Sequence, residues 1–379
     1  MQDALNSLSK LGSNFMVAAF VPSLAFVTAA MLIFGPIIPP TILTRLQNTL
    51  SPLGQLGLSL LLFATLIGFT LSRLNTFIYK VFEGYFLTWR IPRIGRYNEE
   101  MANKLKREIE EQQKNIDKLR ENDAEALQLE KLENDLYRLR VRYQIDFPFV
   151  EGPILPTRFG NILRAAEVYS NDRYGIDGVV VWPRLAYVIP DKYYEKIEDS
   201  NNGLAFLVNC SLLTLLLALL CLVACLYQCL VLFFVIQGRQ ALFYFIPIDF
   251  RFWDFYQQRA FLYFIVGIVL ALGAYGFYRA TLPIVAEYGN LVRSAFDLFR
   301  HDLLKQLKLE MPKNSIRERD IWRQVSEFMA IGEASGPLNF DYVPFVSGTG
   351  DNILAARARA NRARKAKRVS PKGVKRSKR

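Results

Sequence analysis

Arg158, Arg164, Arg173 and Arg184 follow one another closely in the chain, with Glu167 and Asp177 set among them. A planar guanidinium pairs through two N–H groups with a carboxylate or with an anionic ligand. Six such residues facing inward would form a charge network that fixes geometry, and the alternative is an anion site built from the arginines. Four cysteines, Cys210, Cys221, Cys225 and Cys229, all stand inside one apolar run. The last three recur every four residues and share roughly one helix face with Thr214, Leu217 and Ala218. They read as small packing side chains, with a redox or palmitoylation role reserved for Cys229 should it lie near an interface. His301 is the only histidine. The chain has no Gly-rich phosphate loop, no HExxH, no CxxC pair and no serine in a strand-turn-helix setting. No catalytic residue, metal ligand or cofactor is assigned, and an enzyme is the least supported class.

The C-terminal tail carries a different chemistry. Arg357, Arg359, Arg362, Arg364, Lys365, Lys367 and Arg368 alternate with alanines, and the last 29 residues hold twelve basic residues and one acid, Asp351. The chain's formal charge of +12 therefore resides almost wholly there, leaving +1 for everything before it. With no apolar side chain larger than alanine between the basic residues, the tail cannot wedge into a bilayer. It suits anionic lipid headgroups, at about 1 kcal/mol per basic residue near the surface, then nucleic-acid phosphates, then a solubilising role. No aromatic interleaves the basic residues, so base stacking is not indicated.

The elements that position these residues are set by hydropathy. The chain has 379 residues, 51% of them hydrophobic and 22% charged, with a positive mean hydropathy, so the two compositions must be segregated. Stretches 11–44, 46–72, 200–238 and 260–278 lack Asp, Glu, Lys and Arg, and each exceeds or approaches the ~20 residues that cross a bilayer as a helix. Membrane helices are expected at 16–37, 54–76, 204–236 and 259–281. The first is too long for a signal-peptide core and is expected to remain as an anchor. Near the spans, twelve Lys and Arg fall on one side and four, Arg45, Arg239, Arg251 and Arg259, on the other. That asymmetry places both termini and the central region in the cytoplasm, in a plasma (inner) membrane. The outer loops are then 38–53 and 237–258, the second rich in Tyr and Phe and suited to an interfacial belt, with an aromatic ligand patch as its alternative. Asn209 and Gln228 are expected to bond neighbouring helices.

The polar part divides further. Residues 97–143 form a charged arm in which Ile109, Ile116 and Leu119 keep one heptad frame and Leu129, Leu132, Leu136, Leu139 and Tyr143 another. Asn122 is placed to cap a second helix with Glu125 completing the box, which favours an antiparallel helical hairpin over one long helix and makes the arm a candidate for homo-oligomerisation. Thr157 and Asn161 are expected to cap a short helix near Gly160. After the fourth span, Pro283 is expected to kink the helix, and a helix is expected to start at Ser315, with Glu318 closing a capping box, and to stop before Gly332. The segment 282–332 should pack on 145–190, and 333–350 reads as linker before the tail.

The strings Pro156-Thr157-Arg158-Phe159-Gly160-Asn161-Ile162-Leu163-Arg164-Ala165-Ala166-Glu167 and Arg173-Tyr174-Gly175-Ile176-Asp177-Gly178-Val179-Val180-Val181-Trp182-Pro183-Arg184-Leu185 are the least ordinary in the chain. With Tyr288-Gly289, Ala295 to Arg300, and Glu318-Arg319 to Trp322, they resemble a family of uncharacterised bacterial four-span integral membrane proteins over roughly 150–330. The resemblance implies four spans and a bacterial inner membrane, and implies no activity. The expected architecture is an all-α membrane protein: a cytoplasmic N-terminus at 1–15, transmembrane hairpins at 16–76 and 204–281, and a cytoplasmic region at 77–203 bearing the arm. Cytoplasmic helices at 282–332 form a small subdomain with part of that region, and linker and tail complete 333–379. The expected function is a membrane-anchored scaffold or signalling component with a protein partner of unknown identity, and the alternative is an oligomeric channel.

Overall fold

The computed structural model describes residues 15–35, 52–86, 92–121, 126–148, 154–236 and 253–332. The Asn122 cap, most of both outer loops, the linker and the whole basic tail lie outside the described residues. Among the described residues there are helices and no strand. A π-helical turn, Met16–Phe20, leads into α1 (Val21–Phe34). Then follow α2 (Pro52–Glu83), α3 (Pro92–Glu121), α4 (Ala126–Asp146), α5 (Arg158–Tyr174), α6 (Gly178–Leu185), α7 (Asp191–Ile236), α8 (Trp253–Gln306) and α9 (Ser315–Ile331).

Four helices are long and apolar enough to cross a membrane: Met16–Phe34, Gly57–Glu83, Asp191–Leu230 and Arg259–Gln306. Three of them outrun the expected spans. α2 continues to Glu83, α7 begins at Asp191 well before residue 204, and α8 extends from Trp253 to Gln306. The apolar run that marks a span ends where the solvent changes, whereas the backbone ladder continues into polar sequence. α8 also passes through Pro283 without a break.

Small residues set the helix crossings. α7 and α8 run alongside each other in opposite directions, Cys221 packing near Gly267, where an added Cβ would stand 3.4 Å from the cysteine's own. Ser211 Oγ donates to Ala274 O at 2.9 Å across the same seam. Gly68 of α2 lets the backbone of Ala19 and Phe20 approach so closely that a Cβ added there would meet Phe20 Cα at 3.2 Å. Close approach of this kind is how helices associate in a bilayer. Cys221 is buried, whereas Cys229 is exposed on the same helix.

α3 and α4 also lie side by side in opposite directions. Arg120 pairs with Glu133, Arg140 donates to Gln113 at 2.7 Å, and Ala102 and Leu105 pack on Tyr143 and Phe147. A second apolar core gathers α6, α9, the N-terminal part of α7 and the C-terminal part of α8. Trp322, Leu304, Ile176, Leu185 and Ala295 are its most buried members. Of the segment 145–190, on which 282–332 is expected to pack, this cluster contains Ile176, Val181, Leu185 and Ile189.

The two distinctive sequence strings turn out to be joints. Thr157 caps α5, its Oγ1 accepting from Gly160 N at 3.0 Å while donating to Glu83 O at 2.9 Å. Gly160 lies against the Glu83 backbone, where a Cβ would stand 2.8 Å from Glu83 Cα. Gly84, at φ 88°, turns the end of α2 beneath Pro156. Asn161 does not cap a helix, contrary to expectation. It is fully buried, accepting from Leu155 N at 2.7 Å and donating to Leu155 O at 2.8 Å and Thr157 O at 3.0 Å. An Asn one turn inside a helix can fold back on the preceding loop, and here that fold positions the start of α5. In the second string, Gly175 ends α5 at φ 71° and Asp177 caps α6 by accepting from Val179 N and Val180 N.

Candidate functional site

The chemistry expected of the arginine and acid string is distributed, not gathered. Arg158 pairs with Asp146 at 3.6 Å, and the guanidinium of Arg173 lies 5.8 Å from the ring centre of Tyr169. Asp177 serves as the α6 cap, and Arg184 donates to Val180 O at 2.7 Å on its own helix. Arg164 and Glu167 are neighbours on α5, and the guanidinium partly offsets what burial does to Glu167, whose carboxyl is pushed above its ordinary range. Arg158, Arg173, Asp177 and Arg184 thus each engage a different partner. The seven basic tail residues lie outside the described residues.

A polar cluster forms around Asp297 on α8. Its carboxylate accepts from Tyr174 OH at 2.7 Å and, with both oxygens, from Tyr169 OH at 3.1 Å. One turn on, Arg300 lies over the ring of Tyr174, 4.0 Å from the centroid, and donates to Glu318 Oε1 of α9 at 2.7 Å and to the backbone carbonyl of Asp297. His301 Nε2 shares the same Glu318 oxygen at 2.8 Å. On the other side of Tyr169, Arg293 reaches Gln144 O of α4 at 2.9 Å and Asn290 Oδ1 at 3.2 Å. Burial, reinforced by the Asp297 charge, pushes the hydroxyls of Tyr169 and Tyr174 upward, so both remain protonated donors. Asp172, desolvated but facing Arg319, also lies above its ordinary range.

This arrangement joins α4, α5, α8 and α9 through charge-assisted hydrogen bonds. It presents no activated nucleophile: each acid is occupied by hydroxyls, guanidinium or imidazole. The capping box expected at Ser315 is displaced as well. Asn314 caps α9 by accepting from Arg317 N at 2.8 Å, and Glu318 is thereby free to face Arg300. Asp297, Arg300 and His301 were recoverable from their i, i+3, i+4 spacing on one helix face. Tyr169 and Tyr174 carried no comparable signal.

Beside this cluster lies a cavity of about 220 Å³ between α5, α6 and α8, walled by Trp182, Tyr288 and Phe296 and bordered by Glu167. Among the described residues no group of three or more His, Cys, Asp or Glu is placed to hold a metal ion. Comparison with protein-family models, curated proteins and solved structures finds no match to this chain.

Proposed function

We propose that the chain is a non-enzymatic, multi-pass scaffold of the plasma (inner) membrane, with both termini cytoplasmic, its membrane helices arranged as two hairpins, and α3 and α4 forming a cytoplasmic arm that recruits a protein partner. The observation that carries this reading is the use made of polar side chains in the apolar helices. Thr28, Thr65 and Thr70 donate to carbonyls four residues back on their own helices, at 2.7 to 2.8 Å, and Ser23 does the same to Ala19 O at 2.7 Å. Asn209 and Ser211 donate to carbonyls of neighbouring helices. Asn209 and Ser211 thereby hold helices together, and the hydroxyls of Ser23, Thr28, Thr65 and Thr70 are satisfied on their own helices without water from a wet path. The distribution of Lys and Arg supports the orientation, and the tail suits anionic headgroups or nucleic acid. The sequence resemblance supports a bacterial inner membrane.

An oligomeric channel is the second reading, favoured by Gln228. Its amide is buried on α7, and its Oε1 has no partner among the described residues. A second copy of the chain or water in a pore would satisfy it. The mass of the detergent-solubilised particle, with and without residues 97–143, separates the two readings when combined with ion flux through reconstituted vesicles. A particle near 43.5 kDa and no flux is the expected outcome. A defined oligomer whose flux falls on Gln228→Leu would replace the scaffold with the channel.

A further inference from the structure

The cavity between α5, α6 and α8 has three properties that together specify a ligand. Its walls are aromatic and apolar: Trp182 of α6, Phe296 and Tyr288 of α8, with Leu163 and Ala166 of α5 as the floor. One acidic residue, Glu167 of α5, is among its lining residues. Its shape is fixed by close backbone approaches. A Cβ on Gly178 would stand 2.9 Å from both Glu167 O and Ser170 Oγ, and one on Gly289 would stand 2.9 Å from Ala166 Cβ. These glycines hold α6 and α8 against α5, so the walls are built before any ligand arrives.

Aromatic faces attract cations through their quadrupole, best of all when the cation is a weakly hydrated alkylammonium. Glu167, among the lining residues, supplies a carboxylate as the countercharge. At about 220 Å³ the cavity falls below the ~300 Å³ at which drug-sized ligand sites begin. That volume suits a headgroup-sized cation better than a nucleotide or a whole lipid. We propose that this cavity binds the ammonium group of a small organic cation, the chemistry shared by choline and ethanolamine. Burial already disfavours the ionised form of Glu167, with Arg164 only partly compensating. A cation beside it supplies the compensation the fold lacks.

Two sources present this group, a free amine and a lipid headgroup. Tyr288 stands seven residues beyond the expected end of the fourth span at 281, or about 10 Å along a helix, near the outer edge of a headgroup layer about 5 to 7 Å deep. The lipid source rests on the membrane reading given above. The ammonium chemistry does not.

The test begins with the full-length protein in a maltoside detergent, titrated with choline chloride against sodium chloride at equal ionic strength and read by calorimetry. Saturable binding is expected, weakened about tenfold by Glu167→Gln or Trp182→Leu and largely kept by Trp182→Phe, as loss of one charge or one aromatic face implies. Thermal melts identify any variant that fails to fold, and Trp182→Phe with Glu167→Gln then carries the comparison. Absence of saturable binding in the parent protein, or binding equal in all variants, overturns the proposal. The same titration in nanodiscs then separates the sources. Choline binding occluded in phosphatidylcholine discs but present in phosphatidylglycerol discs assigns the site to a lipid headgroup, and equal binding in both assigns it to a free amine.

Discussion

The side-chain amide of Asn209 donates to the main-chain carbonyl of Ala18 at 2.8 Å, and Ala18 is the residue whose carbonyl Pro22, four positions on, has no N–H to serve. The π-helical turn at Met16–Phe20 and the buried Asn209 are therefore two parts of one joint between the first helix and α7. Asn209→Leu removes the donor and should lower stability by about 1 kcal/mol, the usual worth of a hydrogen bond between membrane helices. Unfolding of the purified variant in detergent measures it. The scaffold reading adds that ion leak in cells stays at the parent level. Increased leak at normal protein abundance counts against that reading.

The joint between α2 and α5 gives a sharper contrast. Gly160→Ala forces a methyl group onto the Glu83 backbone, and a rigid backbone contact cannot swing aside. We expect a loss of about 3 kcal/mol, at the upper end for overpacking. Gly203→Ala, on α7, meets nothing within 4 Å and should stabilise by about 0.5 to 1 kcal/mol through helix propensity alone. Thermal melts of the two variants in the same detergent should move in opposite directions. A Gly160→Ala melt at or above the parent's would show that Gly160 is not closely packed.

These two joints show what a single sequence carries. The spans were legible because charge is absent from them, and the two-frame pattern of the arm identified separate helices on either side of 122–125. Helix ends were less legible. Asp191–Gly203 is polar yet continues α7, since hydropathy reports the surrounding solvent and not the backbone. At α9 two good capping residues stand side by side, Asn314 and Ser315, and the geometry uses the first. The Asp297 cluster was hidden for another reason. Tyr169 and Asp297 are 128 positions apart, and no local period links them. The strings at 156–167 and 173–185 stood out correctly, but as joints: Gly160, Asn161, Gly175 and Asp177 are required by turns and close approaches.

Glu167 provides the pH dependence. Its folded carboxyl is raised above the ordinary value, first by burial, with Arg164 offsetting part of the effect. A raised acid means that the folded state holds its proton more tightly than the unfolded chain does. The resulting cost is absent below the unfolded value of about 4.3, grows as pH rises, and is complete above the folded value. Glu167→Gln should therefore melt at a higher temperature than the parent at pH 7.5 and at the same temperature at pH 4. A difference that is constant across this range would remove ionisation as its cause.

Arg300 and Glu318 form the pair on which the junction of α8 and α9 depends. The two side chains are 14% and 11% exposed, and Nε and Oε1 are 2.7 Å apart. Removing one partner of a mostly buried pair leaves the other charge without compensation, which costs about 3 to 5 kcal/mol, whereas replacing both by apolar groups costs far less. Here Arg300→Leu also leaves His301 on Glu318, so the acid keeps one partner. Glu318→Leu removes the one carboxylate that serves both Arg300 and His301, leaving Arg300 only the Asp297 backbone carbonyl and the Tyr174 ring. The expected order of stability is parent and Arg300→Leu/Glu318→Leu highest, Arg300→Leu intermediate, and Glu318→Leu lowest. A double-mutant cycle from denaturant unfolding of the four proteins measures the coupling directly. Additive losses would show that α9 is held by the Trp322 core alone and that the ion pair contributes no stability of its own.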